Sequence, residues 1–358
     1  MLYRGLITAV GLALLTGCAH LGPPTVARDR FDYNQAISNS WKEQTLLNIV
    51  KTRYADMPLF VEVASVVSGY TLEGAVSLGG TISSDSSMAP DLLALGTSGK
   101  YTDRPTITYA PITGKHFNQS FMTPIPPHAV LFLVQSGWPV DLILPITVDS
   151  INGLRASVAG GANARTGDPG YYRVIELLRQ LQKTGAVGMQ IKRREDERET
   201  IVLFFYRDHL NPGLKETLAE VDRLLELNPN EREIAVNYGL LPKNDAEIVM
   251  LTRSMLQIMI ALSRQVDVPA DDVAEGRTIA SLGRGKTDET PLGRLIHIKY
   301  SVDKPDNAFT AVRYRNHWFW IDDRDFLSKR TFAFLMILFS LTESGGKEGL
   351  PLVTIPAS

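Results

Sequence analysis

The stretch "YYRVIELLRQLQKTGAVGMQIKRREDERETIVLFFY", residues 171–206, decides the fold class of this chain. Its first part has a helical pattern and ends at Gly185, a residue type that commonly closes helices. The following residues predict a strand at 187–193, a tight charged turn at 194–199 and a second strand at 200–206. A helix that leads into a hairpin favours an α+β fold over a doubly wound parallel sheet.

The rest of the chain shows the same irregular mixture of helices and hairpins, which predicts antiparallel and mixed sheets throughout. Helical patterns cover residues 31–54, 115–137 with an interruption at 123–127, 213–229, 245–265 and 328–346. Strand patterns cover residues 59–67, 138–153 with a turn at Asn152-Gly153, 233–239, 294–302, 308–321 and 351–355.

A Gly-rich segment of small residues at 155–170 is the candidate domain boundary. We therefore predict an N-terminal α+β module at 31–155 and a C-terminal α+β module at 171–358. Ahead of them, residues 18–30 contain two adjacent prolines and no apolar periodicity, which predicts an extended tether.

The composition is that of an ordinary globular protein with balanced charge. The 358 residues include 37 Lys and Arg and 39 Asp and Glu, a formal net charge of -2. Nucleic-acid-binding proteins usually carry a basic excess, so this balance argues against a nucleic-acid partner.

The first residues have the layout of an export signal. Arg4 is followed by the uncharged apolar run "GLITAVGLALL" and then by small residues. The run is shorter than the about 20 apolar residues that cross a bilayer as a helix. We therefore expect residues 1–17 to be removed from the mature protein.

The end of this signal contains the only cysteine of the chain, in "LTGC", residues 15–18. These residues resemble the lipobox of bacterial lipoproteins. The resemblance implies cleavage between Gly17 and Cys18, a diacylglycerol on the Cys18 sulfur and a further acyl chain, such as palmitate, on its amine. Two or three acyl chains hold a protein stably on a membrane. Ala19 is not the aspartate that retains the best-studied lipoproteins at the inner membrane, so the outer membrane is expected, with the body facing the periplasm.

Residues 70–82 alternate strictly between apolar or glycine residues and polar or small ones, which predicts a strand with one apolar face. A Ser-rich stretch at 83–100, expected to be mobile, and a strand-like run at 101–114 follow, so residues 70–112 resemble a long hairpin. The strand is long enough to cross a membrane, although Pro105 and Pro111 weaken the second arm. The candidate membrane-inserting residues are Tyr70, Leu72, Val76, Leu78 and Ile82.

A second candidate site is the patch in "RYRNHWFWIDDRDFLSKR", residues 313–330. Alternation places two tryptophans on one strand face, with three acids just beyond the strand end, and carboxylates beside tryptophans could bind or cleave a glycan. In the simpler interpretation an acid or Ser328 caps the next helix and the other acids are solvated. The patch residues are Trp318, Trp320, Asp322, Asp323 and Asp325.

Other sequence motifs that could indicate catalysis or ligand binding are weak. The sequence "ASLGRGKT", residues 280–287, resembles a phosphate-binding loop, but Ala280 replaces its first glycine and Pro291 lies where the helix should run. The six histidines lack zinc-site spacing, and no Gly-x-Ser-x-Gly occurs. We expect no metal, no cofactor and, once Cys18 is acylated, no thiol nucleophile.

Three functional hypotheses follow. The first is a non-enzymatic envelope lipoprotein that binds other envelope proteins or itself. The second is a lipoprotein subunit of an oligomeric outer-membrane channel or secretion apparatus, with residues 70–112 inserting in the membrane. The third is an envelope glycan hydrolase that uses the Asp322 to Asp325 patch.

Overall fold

Helices and strands alternate irregularly along the chain, which confirms the predicted α+β fold. The computed structural model describes residues 23–67, 70–81, 92–157, 165–193, 199–205, 211–280 and 294–343. The predicted signal peptide, Gly17, Cys18, Ile82, the strand at 351–355 and most of the loop at 280–287 lie outside these residues.

The helices of the described part are α1 (Pro23–Arg53), α2 (Gly114–Phe117), α3 (Pro127–Gln135), α4 (Val140–Thr147), α5 (Pro169–Thr184), α6 (Pro212–Leu224), α7 (Met255–Ser263), α8 (Ala270–Ala274) and α9 (Phe326–Glu343), with a π-helical turn at Asn118–Met122. The strands are β1 (Val61–Val67), β2 (Tyr70–Thr81), β3 (Leu92–Asp103), β4 (Thr106–Pro111), β5 (Val148–Ile151), β6 (Leu154–Arg155), β7 (Val187–Arg193), β8 (Glu199–Phe205), β9 (Glu233–Tyr238), β10 (Glu247–Thr252), β11 (Lys299–Ser301), β12 (Ala308–Tyr314) and β13 (His317–Asp322).

Helix α1 begins inside the segment that was predicted to be an extended tether. Residues 23–30 are helical, so an extended conformation is wrong for this part of 18–30. The two prolines do not prevent the helix, because the first helical residues have no intrahelical use for their N–H groups. The far end of α1 is anchored by Leu46, Ile49 and Val50, which are fully buried.

Six strands form one mixed sheet in the order β6-β5-β10-β9-β8-β7. Strands β9 and β10 are parallel, and the other neighbours are antiparallel. Because β5 pairs with β10, segments from both sides of residues 156–170 belong to one sheet.

The chain divides into two compact units that differ from the predicted modules. In the described part, unit 1 comprises residues 23–60 and 113–343, and unit 2 comprises residues 61–112. The predicted division into 31–155 and 171–358 therefore needs correction. Its physical reason is the β5–β10 ladder, which a boundary at 156–170 would cut.

Two apolar runs have a different secondary structure from the one that their sequence patterns predict. Residues 140–147 form α4, although a strand was predicted from 138, and only 148–151 are extended. The predicted helix at 245–265 is instead β10 followed by α7, and a capping box between Ser254 and Gln257 starts the helix. Both runs are buried on nearly all sides, so their apolar pattern lacks the period that separates helix from strand.

A smaller antiparallel sheet in unit 1 has the order β11-β13-β12. Phe319 and Ile321 on β13 are buried, whereas Trp318 and Trp320, which alternate with them, are half-buried. Helix α9 contacts this sheet and buries Phe332, among other residues. The sheet thus presents the tryptophans on the face opposite its core.

Unit 2 contains two two-stranded sheets, β1-β4 and β2-β3. The partner of β2 is β3, which covers residues that were predicted to be a mobile Ser-rich stretch. The predicted partner run at 101–114 is shared between the end of β3 and β4, and β4 pairs with β1. The predicted hairpin at 70–112 therefore needs correction, because its paired arms are β2 and β3 and residues 106–111 pair with β1 instead.

Candidate functional site

The Trp318–Trp320 patch is positioned by the register of its sheet. Lys299 on β11 pairs with Trp320, and its Nζ lies 5.0 Å from the centre of the Trp320 ring. The Nζ of Lys304 lies 5.4 Å from the centre of the Trp318 ring. A sugar that stacked on these sides of the indoles would have to displace the two ammonium groups.

Asp322 at the end of β13 is buried and ion-paired. Its carboxylate accepts hydrogen bonds from the Arg324 backbone N–H at 3.0 Å and from Lys299 Nζ at 3.0 Å. The Arg324 N–H, followed by Lys299, holds the pKa of Asp322 well below its usual range. A general acid of glycan cleavage needs the opposite shift.

The other two acids of the patch also have protein partners. Asp323 accepts a hydrogen bond from Lys329 Nζ at 2.8 Å. Asp325 caps α9, because its two carboxylate oxygens accept from the backbone N–H and the hydroxyl of Ser328 at 3.1 and 2.7 Å. The structure thus brings the predicted patch together, with its three carboxylates in ion pairs and a helix cap.

The second candidate site, which we call the ribbon, consists of β2 and β3. Twelve consecutive residue pairs join the strands, from Tyr70 opposite Asp103 to Thr81 opposite Leu92, without a register shift. At about 3.4 Å per residue the ribbon is about 40 Å long. By contrast, the β1–β4 ladder contains an irregularity between Val63 and Ser65.

The register separates the ribbon into an apolar and a polar face. Leu72 pairs with Tyr101 and Leu78 with Leu95, so apolar positions of the two strands are in register. The opposite face contains small and polar residues that are exposed, namely Thr71, Glu73, Ala75, Ser77, Ser98 and Lys100. Tyr70, Leu72, Val76 and Leu78 occupy the alternate positions of β2 between these exposed residues, and their insertion in a membrane stays a prediction.

A third group of residues was not predicted from the sequence. Asp267 accepts a hydrogen bond from Arg294 at 3.0 Å and lies 2.7 Å from Nε2 of His297. Partial burial raises the pKa of Asp267, but His297 and Arg294 outweigh this effect and the pKa lies below its ordinary value. These residues are some 30 positions apart, and no sequence pattern connects them.

The Asp267–His297 pair resembles the orienting half of a catalytic triad, in which a third residue supplies the nucleophile. Within the described residues, no serine or threonine hydroxyl is hydrogen-bonded to the His297 ring. Instead, Val266 and Ile298 form a parallel bridge beside the pair. The geometry is that of a structural link between two chain segments.

Two other kinds of functional feature are absent from the described residues. No group of three or more His, Cys, Asp or Glu side chains in this part of the chain could hold a metal ion. No helix in the same residues is long and apolar enough to cross a membrane.

Comparison with known proteins adds no relative. No family model, no curated protein and no solved structure matches this chain.

Proposed function

We propose that this protein is a lipid-anchored, non-enzymatic component of the bacterial envelope. Acylated Cys18 attaches it to the outer membrane, and the body faces the periplasm, where it binds envelope proteins or further copies of itself. The Leu15 to Cys18 motif supports the anchor.

The ribbon is the observation that carries the interaction role. An isolated two-stranded hairpin is at best marginally stable in water, so twelve regular pairs with an apolar face are typical of an element that is completed by a partner. Unit 1, in contrast, has its own core around residues such as Ile143, Tyr171 and Phe332, which are fully buried.

The contacts of the tryptophan patch also favour a binding or structural role over hydrolysis. Each of its three acids is engaged by a lysine, an arginine or a helix N-terminus. A retaining or inverting glycosidase requires one carboxyl group that protonates the leaving group and a second that attacks or activates water.

Palmitate labelling of one variant and cell fractionation of a second variant test the lipid anchor. Cys18→Ala should lose incorporation of labelled palmitate. Replacing residues 1–18 by a cleaved, non-acylated export signal should release the body into the soluble periplasm. His20→Ala is the matched control, because it leaves the lipobox intact and should remain acylated and membrane-bound. Palmitate on the Cys18→Ala chain would contradict the anchor.

The second candidate function is a subunit of an oligomeric outer-membrane channel or secretion apparatus. The specific observation in its favour is the ribbon, because its twelve-residue strands exceed the about 9–11 residues that cross a membrane. An environment-sensitive dye on Val76→Cys should then report an apolar surrounding, while the same dye on the neighbouring Ser77→Cys should report water. Equal spectra at both positions would exclude insertion of the ribbon.

A further inference from the structure

The outer edges of the ribbon have no partner strand among the described residues. Strand β2 pairs with β3 alone, and β3 with β2 alone, so each strand presents one row of backbone groups over twelve residues. Unpaired backbone donors and acceptors at a sheet edge are a template for pairing with another strand.

These edges also lack the features by which proteins usually block edge pairing. Strands β2 and β3 contain no proline, their register is uninterrupted, and Lys100 is their only lysine or arginine. The neighbouring β4 ends in Pro111 and its ladder with β1 is irregular, so protection is present there. The contrast between β4 and the ribbon indicates that the ribbon edges pair with another strand.

We propose that the ribbons of two copies of this chain pair edge to edge, with β3 of one copy antiparallel to β2 of the next. This inference rests on the proposed interaction role of unit 2 and names its partner as a second copy. Backbone hydrogen bonds supply the attraction, and charge selects which edges meet.

The charge argument depends on two residues of the polar face. Glu73 is the only charged residue of β2, and it lies opposite Lys100 within the ribbon. When β3 meets β2 of the next copy in the same register, Lys100 faces a second Glu73. Opposite charges then alternate along this row, and each cross-strand pair of this kind is worth roughly 0.2–1 kcal/mol.

The two symmetric alternatives lack this complementarity. Pairing β2 with β2 of another copy gives Glu73 no cation on the facing strand, and pairing β3 with β3 gives Lys100 no acid on the same face. The β3-to-β2 arrangement is a head-to-tail contact that leaves a free edge at each end. It therefore adds further copies and produces a ring or a filament rather than a dimer.

The same register keeps the apolar residues of all copies on one side. Because side chains alternate with a period of two, any even offset between strands preserves the faces and an odd offset mixes them. The apolar positions Leu72, Val76 and Leu78 of successive copies then stay in register across the strands.

Cysteine pairing in the full-length acylated protein tests the arrangement. Ala75 and Ser98 are exposed on the polar face and oppose each other within the ribbon, so the proposed register places Ser98 of one copy opposite Ala75 of the next. Chains with Ala75→Cys and chains with Ser98→Cys are co-expressed and oxidised. We expect disulfide-linked dimers in the mixture.

Each cysteine variant alone should stay uncross-linked. Equivalent positions in neighbouring copies are then two strand spacings apart, about 9.6 Å, whereas a disulfide needs Cα atoms within about 7 Å. Equal cross-linking of either variant alone would overturn the head-to-tail pairing. No cross-link in any sample would overturn edge pairing itself.

Charge reversal separates contacts between copies from those within one ribbon. Glu73→Lys and Lys100→Glu should each weaken association about two- to fivefold per contact, measured as oligomer fraction in mild detergent. Mixing the two variants restores opposite charges only between copies, since each ribbon keeps its internal repulsion. Recovery of the oligomer fraction in the mixture supports the proposal. Recovery of the oligomer fraction solely in a double variant that carries both Glu73→Lys and Lys100→Glu overturns it.

Glu216→Lys is the control, because it makes the same charge change at an exposed position of unit 1 and should leave the oligomer fraction unchanged. Failure of this inference is distinct from failure of the proposed function. A monomeric protein that still incorporates palmitate at Cys18 would overturn edge pairing and leave the lipid anchor in place.

Discussion

At the scale of single residues, Asn152 links the turn between β5 and β6 to strand β10 and to the end of α6. It has a φ of 45°, and its side chain donates to the carbonyls of Leu225 and Glu247 at 2.8 and 3.2 Å. Its Oδ1 accepts from the backbone N–H of Val249 at 2.6 Å. Asparagine suits both tasks, because it tolerates the left-handed region and carries a donor and an acceptor.

Two substitutions separate these roles of Asn152. Asn152→Ala should lower the free energy of unfolding by about 2–4 kcal/mol, since it strands the buried Val249 N–H and strains the backbone. Asn152→Gly removes the same hydrogen bonds without the strain and should cost about 1 kcal/mol less. Urea unfolding followed by circular dichroism measures both. Equal losses would show that the positive φ costs nothing.

Asp322 predicts a dependence of stability on pH. Its pKa is lower in the folded than in the unfolded chain, so its stabilisation is complete above the unfolded pKa of about 4 and is lost as the pH falls further. Wild-type protein should therefore be more stable than Asp322→Asn at pH 7, with a difference that shrinks from about pH 4 downwards. Unfolding in urea at several pH values measures the difference, and a constant gap would contradict an ionised Asp322.

Features of single residues could be predicted where neighbouring residues in the sequence determine them. The Asn152-Gly153 pair predicts a turn because these residues accept positive φ, and both have it. The tryptophans at 318 and 320 share a face because strand alternation is a two-residue property. The Asp267–His297 pair could not be predicted, because its members are 30 positions apart in the sequence and only the packing of unit 1 brings them together.

At the scale of elements, Gly185 determines how α5 ends and β7 begins. It has a φ of 69°, and its N–H and that of Ala186 bond to carbonyls of the last helical turn. A Cβ added at Gly185 would meet no atom within 4 Å. The requirement for glycine is therefore purely conformational.

Gly185→Ala should accordingly cost about 1 kcal/mol of unfolding free energy, the price of the left-handed conformation. Gly213 near the start of α6 is the matched control, since its backbone is not left-handed and an added Cβ makes an ordinary contact of 3.7 Å with Asn211. Gly213→Ala should be neutral or stabilise by up to about 1 kcal/mol. Thermal unfolding compares the two, and equal effects would contradict this distinction.

Element prediction failed where neighbours in space decide the structure. Strand β10 lies between β5 and β9 and is buried on both faces, so its sequence lacks alternation and resembles a helix. Strand β3 is rich in glycine and small polar residues, and its pairing with β2 stabilises a conformation that its own composition does not favour.

At the scale of the whole molecule, unit 2 is inserted between two parts of the chain that together form unit 1. Replacing Val61–Ile112 by a short Gly/Ser linker should leave a body that unfolds in one cooperative transition. The linker can be short because Val61 lies opposite Pro111 in the β1–β4 ladder. Calorimetry of the shortened chain measures this, and loss of the transition would contradict an autonomous unit 1.

A fragment of residues 171–358 provides the contrasting case. It contains β10 without its neighbour β5 and should not unfold cooperatively. Cooperative unfolding of this fragment would support the module boundary that the Gly-rich segment predicted. That boundary could not be tested by composition alone, because a Gly-rich segment inside one unit has the same residue types as a linker between domains.

The side-by-side position of Val61 and Pro111 also has a mechanical consequence. Both strands leave unit 2 at the same end, so a pull on its far end is shared by two covalent chains that carry the load in parallel. The hydrogen bonds between β1 and β4 are neither sheared nor unzipped by such a pull. Tension applied equally to both strands would thus reach Phe60 and Thr113 through two covalent connections.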